Sequence, residues 1–149
     1  FRRVIKDPDL NLKDKNIKKV VICSGKVFYN LYEEREKRKL ENVKILRLEQ
    51  IYPFPHRTLK EELSKTPDAE VVWCQEEPKN MGSWFFVDRK IEDVLMSYKG
   101  KFLRPSYAGR EEAASPATGS LSRHNKEQAD LVNEALAIEN KKTSKHAAE

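Results

Sequence analysis

The fold is decided by a short stretch near the start of the chain, Lys19-Val20-Val21-Ile22-Cys23-Ser24-Gly25. Its apolar part is rich in β-branched residues and stops at a Ser-Gly pair, which is typical of a short buried strand. A helix is predicted directly after it, over residues 26–40, because apolar residues recur there at helical spacing. These residues are Val27, Phe28, Leu31 and Tyr32. The chain therefore enters its core with a strand that leads into a helix.

The same alternation is repeated further along the chain. Strands are predicted at residues 43–48, 70–74 and 102–107. The last is expected at a sheet edge, because Pro105 has no amide hydrogen to donate. Helices are predicted at residues 57–65, 83–99 and 122–138, with Ser122 as the N-cap of the last. Strands and helices that alternate without a hairpin signal indicate a parallel sheet.

We therefore expect an α/β domain with three layers: a mostly parallel sheet and helices on both of its faces. The domain is predicted to span residues 17–138, with a linker leading into it at residues 1–16 and a polar tail at residues 139–149. In such sheets, ligands bind beyond the carboxyl ends of the strands. The loops expected at that end are residues 24–26, 76–82 and 109–120.

Composition narrows the class of protein. The 149 residues are 36% charged with a formal net charge of +5, but positive and negative residues are interleaved. A nucleic-acid binder would show a stripe of residues of one charge sign, so that function is not expected. A membrane-spanning segment is not expected either. Two cysteines, Cys23 and Cys74, are too few for a disulfide framework. A reducing compartment fits best, either a bacterial cytoplasm or a mitochondrial matrix.

No complete catalytic or metal-binding set is predicted. The three histidines, His56, His124 and His146, are too scattered for a metal site. The adjacent Glu76 and Glu77 would point in opposite directions in an extended segment, so they do not form an acid and base pair.

Two segments could bind an anion. Ser24-Gly25-Lys26 follows a strand and opens a helix, as phosphate sites do, but it lacks the glycine spacing of a P-loop. The alternative for it is a plain turn. The loop at residues 109–120 carries Arg110, Ser115 and nearby hydroxyl groups, and His124 follows in the next helix. The alternatives are a structured connector for the loop and an ordinary surface residue for His124.

Three motifs in order along the chain carry a resemblance to a known family: Glu49-Gln50-Ile51-Tyr52-Pro53-Phe54-Pro55, then Trp73-Cys74-Gln75-Glu76-Glu77-Pro78-Lys79-Asn80-Met81-Gly82-Ser83-Trp84, then Tyr107-Ala108-Gly109-Arg110-Glu111-Glu112-Ala113-Ala114-Ser115-Pro116-Ala117-Thr118-Gly119. Together they resemble the C-terminal domain of the E1 components of 2-oxoglutarate dehydrogenases, over residues 17–138. That domain is similar to the C-terminal domain of transketolase.

The resemblance implies an oxidoreductase that is complete only in a longer protein. Such enzymes use thiamine diphosphate and Mg²⁺, which are bound mainly by other domains, to decarboxylate 2-oxoglutarate. They act as homodimers and pass a succinyl group to the lipoyl group of a dihydrolipoyl succinyltransferase, the E2 partner. The chain alone is expected to be inactive.

The resemblance also suggests residues for regulation and assembly. Some relatives bind acetyl-CoA or AMP, and the candidates here for such an effector are Ser24, Lys26, Arg110, Ser115 and Lys126. His124 and Glu77 are possible ligand-facing residues. The candidates for the dimer interface are Tyr52, Phe54 and Trp84. The alternative function is an independent module that binds a nucleotide or an acyl-CoA.

Overall fold

The computed structural model describes residues 2–9, 11–116 and 119–138. Within them, five strands form one sheet: β1 (Val4–Ile5), β2 (Lys19–Cys23), β3 (Val43–Leu48), β4 (Glu70–Pro78) and β5 (Ser106–Arg110). Four helices alternate with the last four strands: α1 (Val27–Arg38), α2 (His56–Leu63), α3 (Trp84–Ser97) and α4 (Leu121–Leu136). The predicted order of strands and helices from residue 19 onward is confirmed. The predicted N-cap Ser122 is wrong, because α4 begins at Leu121 and the hydroxyl of Ser120 accepts from the N–H of Arg123.

The strand order across the sheet is β1-β3-β2-β4-β5. Strands β2, β3, β4 and β5 are parallel, whereas β1 pairs antiparallel with β3. In register, Cys23 of β2 lies beside Arg47 of β3 on one side and Cys74 of β4 on the other. The carboxyl ends of β2, β3, β4 and β5 therefore meet at one edge of the sheet.

The sheet separates two hydrophobic cores, because successive side chains of a strand point to opposite faces. On one face, Val21, Ile45 and Val72 pack with residues of α1 and α4 such as Leu31 and Leu131. On the other face, residues of α2 and α3 pack against Ile22, Leu46 and Trp73. The predicted three-layer α/β fold with a mostly parallel sheet and helices on both faces is thus confirmed.

The N-terminal segment differs from the linker predicted at residues 1–16. It supplies strand β1, in which Val4 pairs with Leu48. The carboxylate of Asp7 accepts hydrogen bonds from the Arg35 guanidinium of α1 and from the backbone N–H of Ile45. A two-residue strand is too short to show a period, so the pattern could not reveal it. The predicted polar tail at residues 139–149 lies outside the described residues.

Two strands differ in their limits from the prediction. Strand β4 continues past Cys74 to Pro78, so Glu76 and Glu77 lie in a strand and not in the predicted loop. Strand β5 begins at Ser106, after Pro105, and not at Phe102. It pairs with β4 alone, through Val72, Trp73, Cys74 and Gln75, followed by an irregular step to Pro78. As a result, Glu76, Glu77 and Arg110 lie in strands at the carboxyl end of the sheet, and not in loops.

Candidate functional site

The candidate site lies at the carboxyl ends of β4 and β5, close to helix α4. Two polar loops meet there: the first, residues 79–83, follows β4, and the second, which begins at residue 111, follows β5. The side chain of Gln75 organises the first loop. Although Gln75 is buried, its Oε1 accepts from Trp73 Nε1 (2.9 Å) and from the backbone N–H of Trp84 (3.1 Å). Its Nε2 donates to the carbonyl oxygens of Glu77, Pro78 and Met81 at 3.2, 3.0 and 2.8 Å. One amide therefore fixes the turn between β4 and α3.

The second loop is tied to the first through backbone and amide contacts. Asn80 Nδ2 donates to the carbonyl oxygen of Ala113 (2.9 Å), and the N–H of Ala113 donates to Asn80 Oδ1 (3.0 Å). The N–H of Lys79 donates to the carbonyl oxygen of Arg110 (3.0 Å). The side chain of Asn80 thus pairs with residue 113 as a neighbouring strand would.

Tyr107 stabilises the contact between the two loops. Its hydroxyl donates to the carbonyl oxygen of Arg110 (2.6 Å), and its ring packs against Trp84 with a centroid distance of 5.3 Å. Burial raises the pKa of Tyr107 to about 12, so the phenol remains a hydrogen-bond donor well into the alkaline range.

Arg110 is the centre of the charged network. Its guanidinium donates to the Glu76 carbonyl oxygen and to Gln128 Oε1 (3.1 Å), and its Nε lies 3.0 Å from a carboxylate oxygen of Glu127. It also contacts His124 Nδ1 at 3.3 Å. A guanidinium can only donate, so that histidine nitrogen accepts. Arg110 therefore joins β5 to helix α4, while its charge is balanced inside the chain.

A cavity of about 760 Å³ opens beside this network, between β5, residues 111–116 and helix α4. The described residues that line it carry three cationic and five acidic side chains: Lys79, Arg110 and Arg123, with Glu111, Glu112, Glu127, Asp130 and Glu134. The lining is thus more acidic than basic, although the whole chain has a net charge of +5. The cations that an anionic ligand could meet there are Lys79, Arg110 and Arg123.

The five predicted effector residues do not come together. Arg110 and Ser115 line the cavity, but Ser24, Lys26 and Lys126 are not among its lining residues. Ser24 is half-buried and Lys26 is exposed, both at the start of α1, and Lys126 is exposed on α4. Strand β4 separates β2 from β5 in the sheet, which holds the Ser24 turn away from Arg110.

The other predicted residues divide in the same way. His124 contacts Arg110 but, like the exposed Glu77, is not among the residues that line the cavity. That either residue faces a ligand stays a prediction. Trp84 and Phe54 are buried within the chain, 7% and 8% exposed. This burial argues against direct contacts of these two residues across a dimer. Tyr52 is 82% exposed, and its role at an interface stays a prediction.

Gln75, Asn80 and Tyr107 are residues of the site that the sequence interpretation did not assign. A signal for Gln75 was present: it lies two positions after Trp73, so both point to the same face of a strand. The signal was missed because the strand was predicted to end at Cys74. The Asn80 contact joins residues 33 apart in sequence and leaves no local pattern.

The two cysteines are poor candidates for nucleophilic catalysis, because their thiols are buried. Burial raises the pKa of Cys74 to about 12, with the nearby carboxylates Glu134 and Glu76 adding to the effect. Burial also raises the pKa of Cys23. The described parts of the chain contain no group of three His, Cys, Asp or Glu side chains placed to hold a metal ion. Across the same residues, no helix is both long enough and apolar enough to cross a membrane.

Fold and site together define the class: a three-layer α/β domain whose carboxyl edge is closed by two interlocked polar loops around an arginine network. Residues 1–136 match the family model described as 2-oxoglutarate dehydrogenase C-terminal. A relative from Brucella abortus (strain S19) with the name 2-oxoglutarate dehydrogenase E1 component is 54% identical over 135 residues, which cover 90% of this chain and 13% of that protein. Relatives of the same name from Brucella anthropi and Brucella melitensis biotype 2 are 54% identical over 132 residues, 88% of this chain and 13% of each protein.

The chain belongs to the 2-oxoglutarate dehydrogenase C-terminal family. The family resemblance inferred from the three sequence motifs is thereby confirmed. The chain spans about 13% of the length of the curated relatives that it matches. The alternative, an independent nucleotide or acyl-CoA module, is not supported by these findings.

Proposed function

We propose that this chain is the C-terminal domain of a longer E1 polypeptide that oxidatively decarboxylates 2-oxoglutarate with thiamine diphosphate and Mg²⁺. The observation that carries the proposal is the 54% identity over 135 residues to proteins named 2-oxoglutarate dehydrogenase E1 component. The organism of these relatives supports a bacterial cytoplasmic protein. The cofactor is assigned to the rest of the polypeptide, because this chain spans only 13% of the length of the relative.

The role proposed for the domain is assembly and regulation. The polar groups at its carboxyl edge bond mainly to one another, as in the Gln75 and Arg110 networks, which suits a rigid support more than a reaction centre. The longer protein is proposed to form a homodimer and to transfer succinyl to the lipoyl group of the E2 dihydrolipoyl succinyltransferase.

The experiment compares the full-length protein with the isolated chain in a 2-oxoglutarate decarboxylation assay. Turnover is expected for the full-length protein and to depend on added thiamine diphosphate and Mg²⁺. The isolated chain is expected to show none. Turnover by the isolated chain, or a full-length protein inactive on 2-oxoglutarate but active on another 2-oxo acid, would contradict the proposal.

An anionic effector such as acetyl-CoA or AMP is proposed to bind at the Arg110 end of the cavity. A phosphate group there would replace the Glu127 carboxylate, which is 27% exposed and therefore able to move aside. In calorimetry on the full-length protein, Arg110→Ala is expected to weaken binding about tenfold or more, the effect of losing roughly 1.4 kcal/mol. Lys26→Ala, which changes a cation outside the cavity lining, is the matched control and should leave affinity unchanged.

A further inference from the structure

One aromatic surface at the carboxyl edge lacks a covering among the described residues. It consists of Tyr52, which follows β3, and of Phe85 and Phe86 in the first turn of α3; we call these three residues the aromatic patch. They are 82%, 62% and 40% exposed. The rings of Tyr52 and Phe86 are in edge-on contact, with a centroid distance of 6.4 Å. Large exposed apolar patches often serve as interaction sites.

The pairing of the N-terminal strand shows at which end of the sheet its first residues lie. The carbonyl oxygen of Arg3 accepts from the N–H groups of Glu49 (2.9 Å) and Gln50 (3.2 Å). The side chain of Gln50 in turn donates to the carbonyl oxygen of Pro53 (2.7 Å), next to Tyr52. Because β1 runs antiparallel to β3, residues before Val4 lie at the carboxyl end of β3. That is the end of the sheet that carries the patch.

The attachment of this segment is firm enough to fix the direction from which the chain arrives. Asp7 is 3% exposed in its side chain and pairs with the fully buried Arg35, and Lys6 pairs with the buried Glu62 at 3.2 Å. The first residues therefore cannot swing to another side of the domain without breaking the buried Asp7–Arg35 pair.

We propose that the polypeptide preceding this chain in the full-length protein packs on the aromatic patch. The inference rests on the proposed function, in which the chain is the C-terminal part of a longer E1 polypeptide. Two observations select this occupant over a second copy of the domain: the relatives are far longer than this chain, and the preceding residues begin within a few residues of Tyr52. The surface that covers the patch is apolar. Beside it, Lys90 lies 5.8 Å from the centre of the Phe86 ring, so an acidic group of the covering segment would fit at the rim.

The test places the photo-cross-linking amino acid benzoylphenylalanine at position 52 of the full-length protein and, in a control, at position 29. Tyr29 is 61% exposed on α1, which packs on the opposite face of the sheet. Both sites are exposed tyrosines, so neither replacement disturbs the core. Irradiation is expected to join residue 52 to peptides that precede this chain, in a product of monomer mass, at least about fivefold more than residue 29.

Several outcomes would overturn the inference: no cross-link from residue 52, products of dimer mass that join two copies of this domain, equal yields from both positions, or a gene product with no preceding residues. Decarboxylation of 2-oxoglutarate is measured on the same samples. An active enzyme without the cross-link overturns only the packing inference, whereas the cross-link in a protein inactive on 2-oxoglutarate overturns only the proposed function.

Discussion

Arg35 and Arg110 each connect two parts of the molecule. Arg35 stabilises the fold, whereas Arg110 belongs to the candidate site. Arg35 is fully buried and pairs with Asp7, whose side chain is 3% exposed, so it fastens the N-terminal segment to α1. Arg110 is 11% exposed, is surrounded by Glu127, Gln128 and His124, and lines a cavity. A buried ion pair with one dominant partner cannot lose a member without leaving a bare charge. A network beside a cavity can exchange partners, with solvent or with a ligand.

The largest effect is expected from replacing the two arginines in turn by methionine. Arg35→Met leaves the Asp7 carboxylate buried without its cation, and we expect a loss of about 3–5 kcal/mol in the free energy of unfolding. Arg110→Met removes contacts that water can partly replace, so its loss should be roughly 1 kcal/mol. Urea unfolding of the chain measures both.

The double variant Asp7→Asn with Arg35→Met sharpens this comparison. It should recover part of the loss, because no bare carboxylate remains in the core. Equal losses for the two single arginine variants would break the distinction between a structural and an exchangeable network.

The second prediction concerns the packing under Arg110. A methyl group on Gly109 would lie 2.5 Å from the Tyr107 hydroxyl and 2.8 Å from the Gln75 carbonyl oxygen. Neither can move freely, since one bonds to Arg110 and the other belongs to the backbone of β4. Gly109→Ala is expected to cost about 1–3 kcal/mol of unfolding free energy and to shift the Tyr107 ring.

Gly119 is the matched control, because a methyl group there meets nothing within 4 Å. Gly119→Ala should change stability by less than about 0.5 kcal/mol. Thermal unfolding compares the two variants, and near-ultraviolet circular dichroism reports on Tyr107. Two equal, small effects would show that the region around Arg110 yields more easily than its contacts imply.

How far the sequence could predict the fold depended on the range of each contact. The strands Lys19–Cys23 and Val43–Leu48 were predicted at their observed limits, because each is a local run of apolar residues. Strand β1 was missed, since it pairs with Leu48 and Arg47 of β3, which are far from it in sequence. Strand β5 was placed too early, because the apolar Phe102 and Leu103 have strand-like character yet pair with no strand.

The candidate site shows the same limit. Arg110, Ser115 and His124 were predicted from donor-rich loops beside a helix start, and the structure does place them near one cavity or network. Ser24 and Lys26 were grouped with them because all follow predicted strands. The pattern does not give the order of strands across the sheet. Neighbouring strands are about 4.8 Å apart, so the interposed β4 puts roughly 10 Å between β2 and β5.

The third prediction uses pH to test the ion pairs of Glu62, one of which joins Lys6 of the N-terminal segment to α2. Burial alone would raise the pKa of Glu62, but hydrogen bonds from Lys65 and Lys6 outweigh it and lower the pKa below its usual 4.5. The carboxylate therefore contributes stability above pH 4.5, which is lost as the pH falls through the lowered folded pKa. Glu62→Gln should be less stable at pH 7 and should lose less stability between pH 7 and pH 3.

Glu61→Gln is the control for that titration. Glu61 is 63% exposed and pairs with Arg57, which is 94% exposed, so its ion pair is screened by water. Urea unfolding at several pH values should show a nearly unchanged acid profile for this variant. Identical profiles for Glu61→Gln and Glu62→Gln would mean that the ion pairs of Glu62 with Lys65 and Lys6 add no stability.

The smallest effect should be a gain in stability, close to Arg35. Lys39 ends helix α1 with a φ of 54°, and its N–H bonds to the carbonyl oxygens of Arg35 and Glu36. A left-handed residue with a side chain costs about 1–2 kcal/mol, and glycine avoids this cost but loses about 0.5–1 kcal/mol in chain entropy. Lys39→Gly is thus expected to add about 0.5–1 kcal/mol to the free energy of unfolding. Lys37→Gly, inside the same helix, should instead lose about 1 kcal/mol. If both variants lose stability alike in urea unfolding, the end of α1 carries no strain, and the Arg35 region is stabilised by its charges and packing alone.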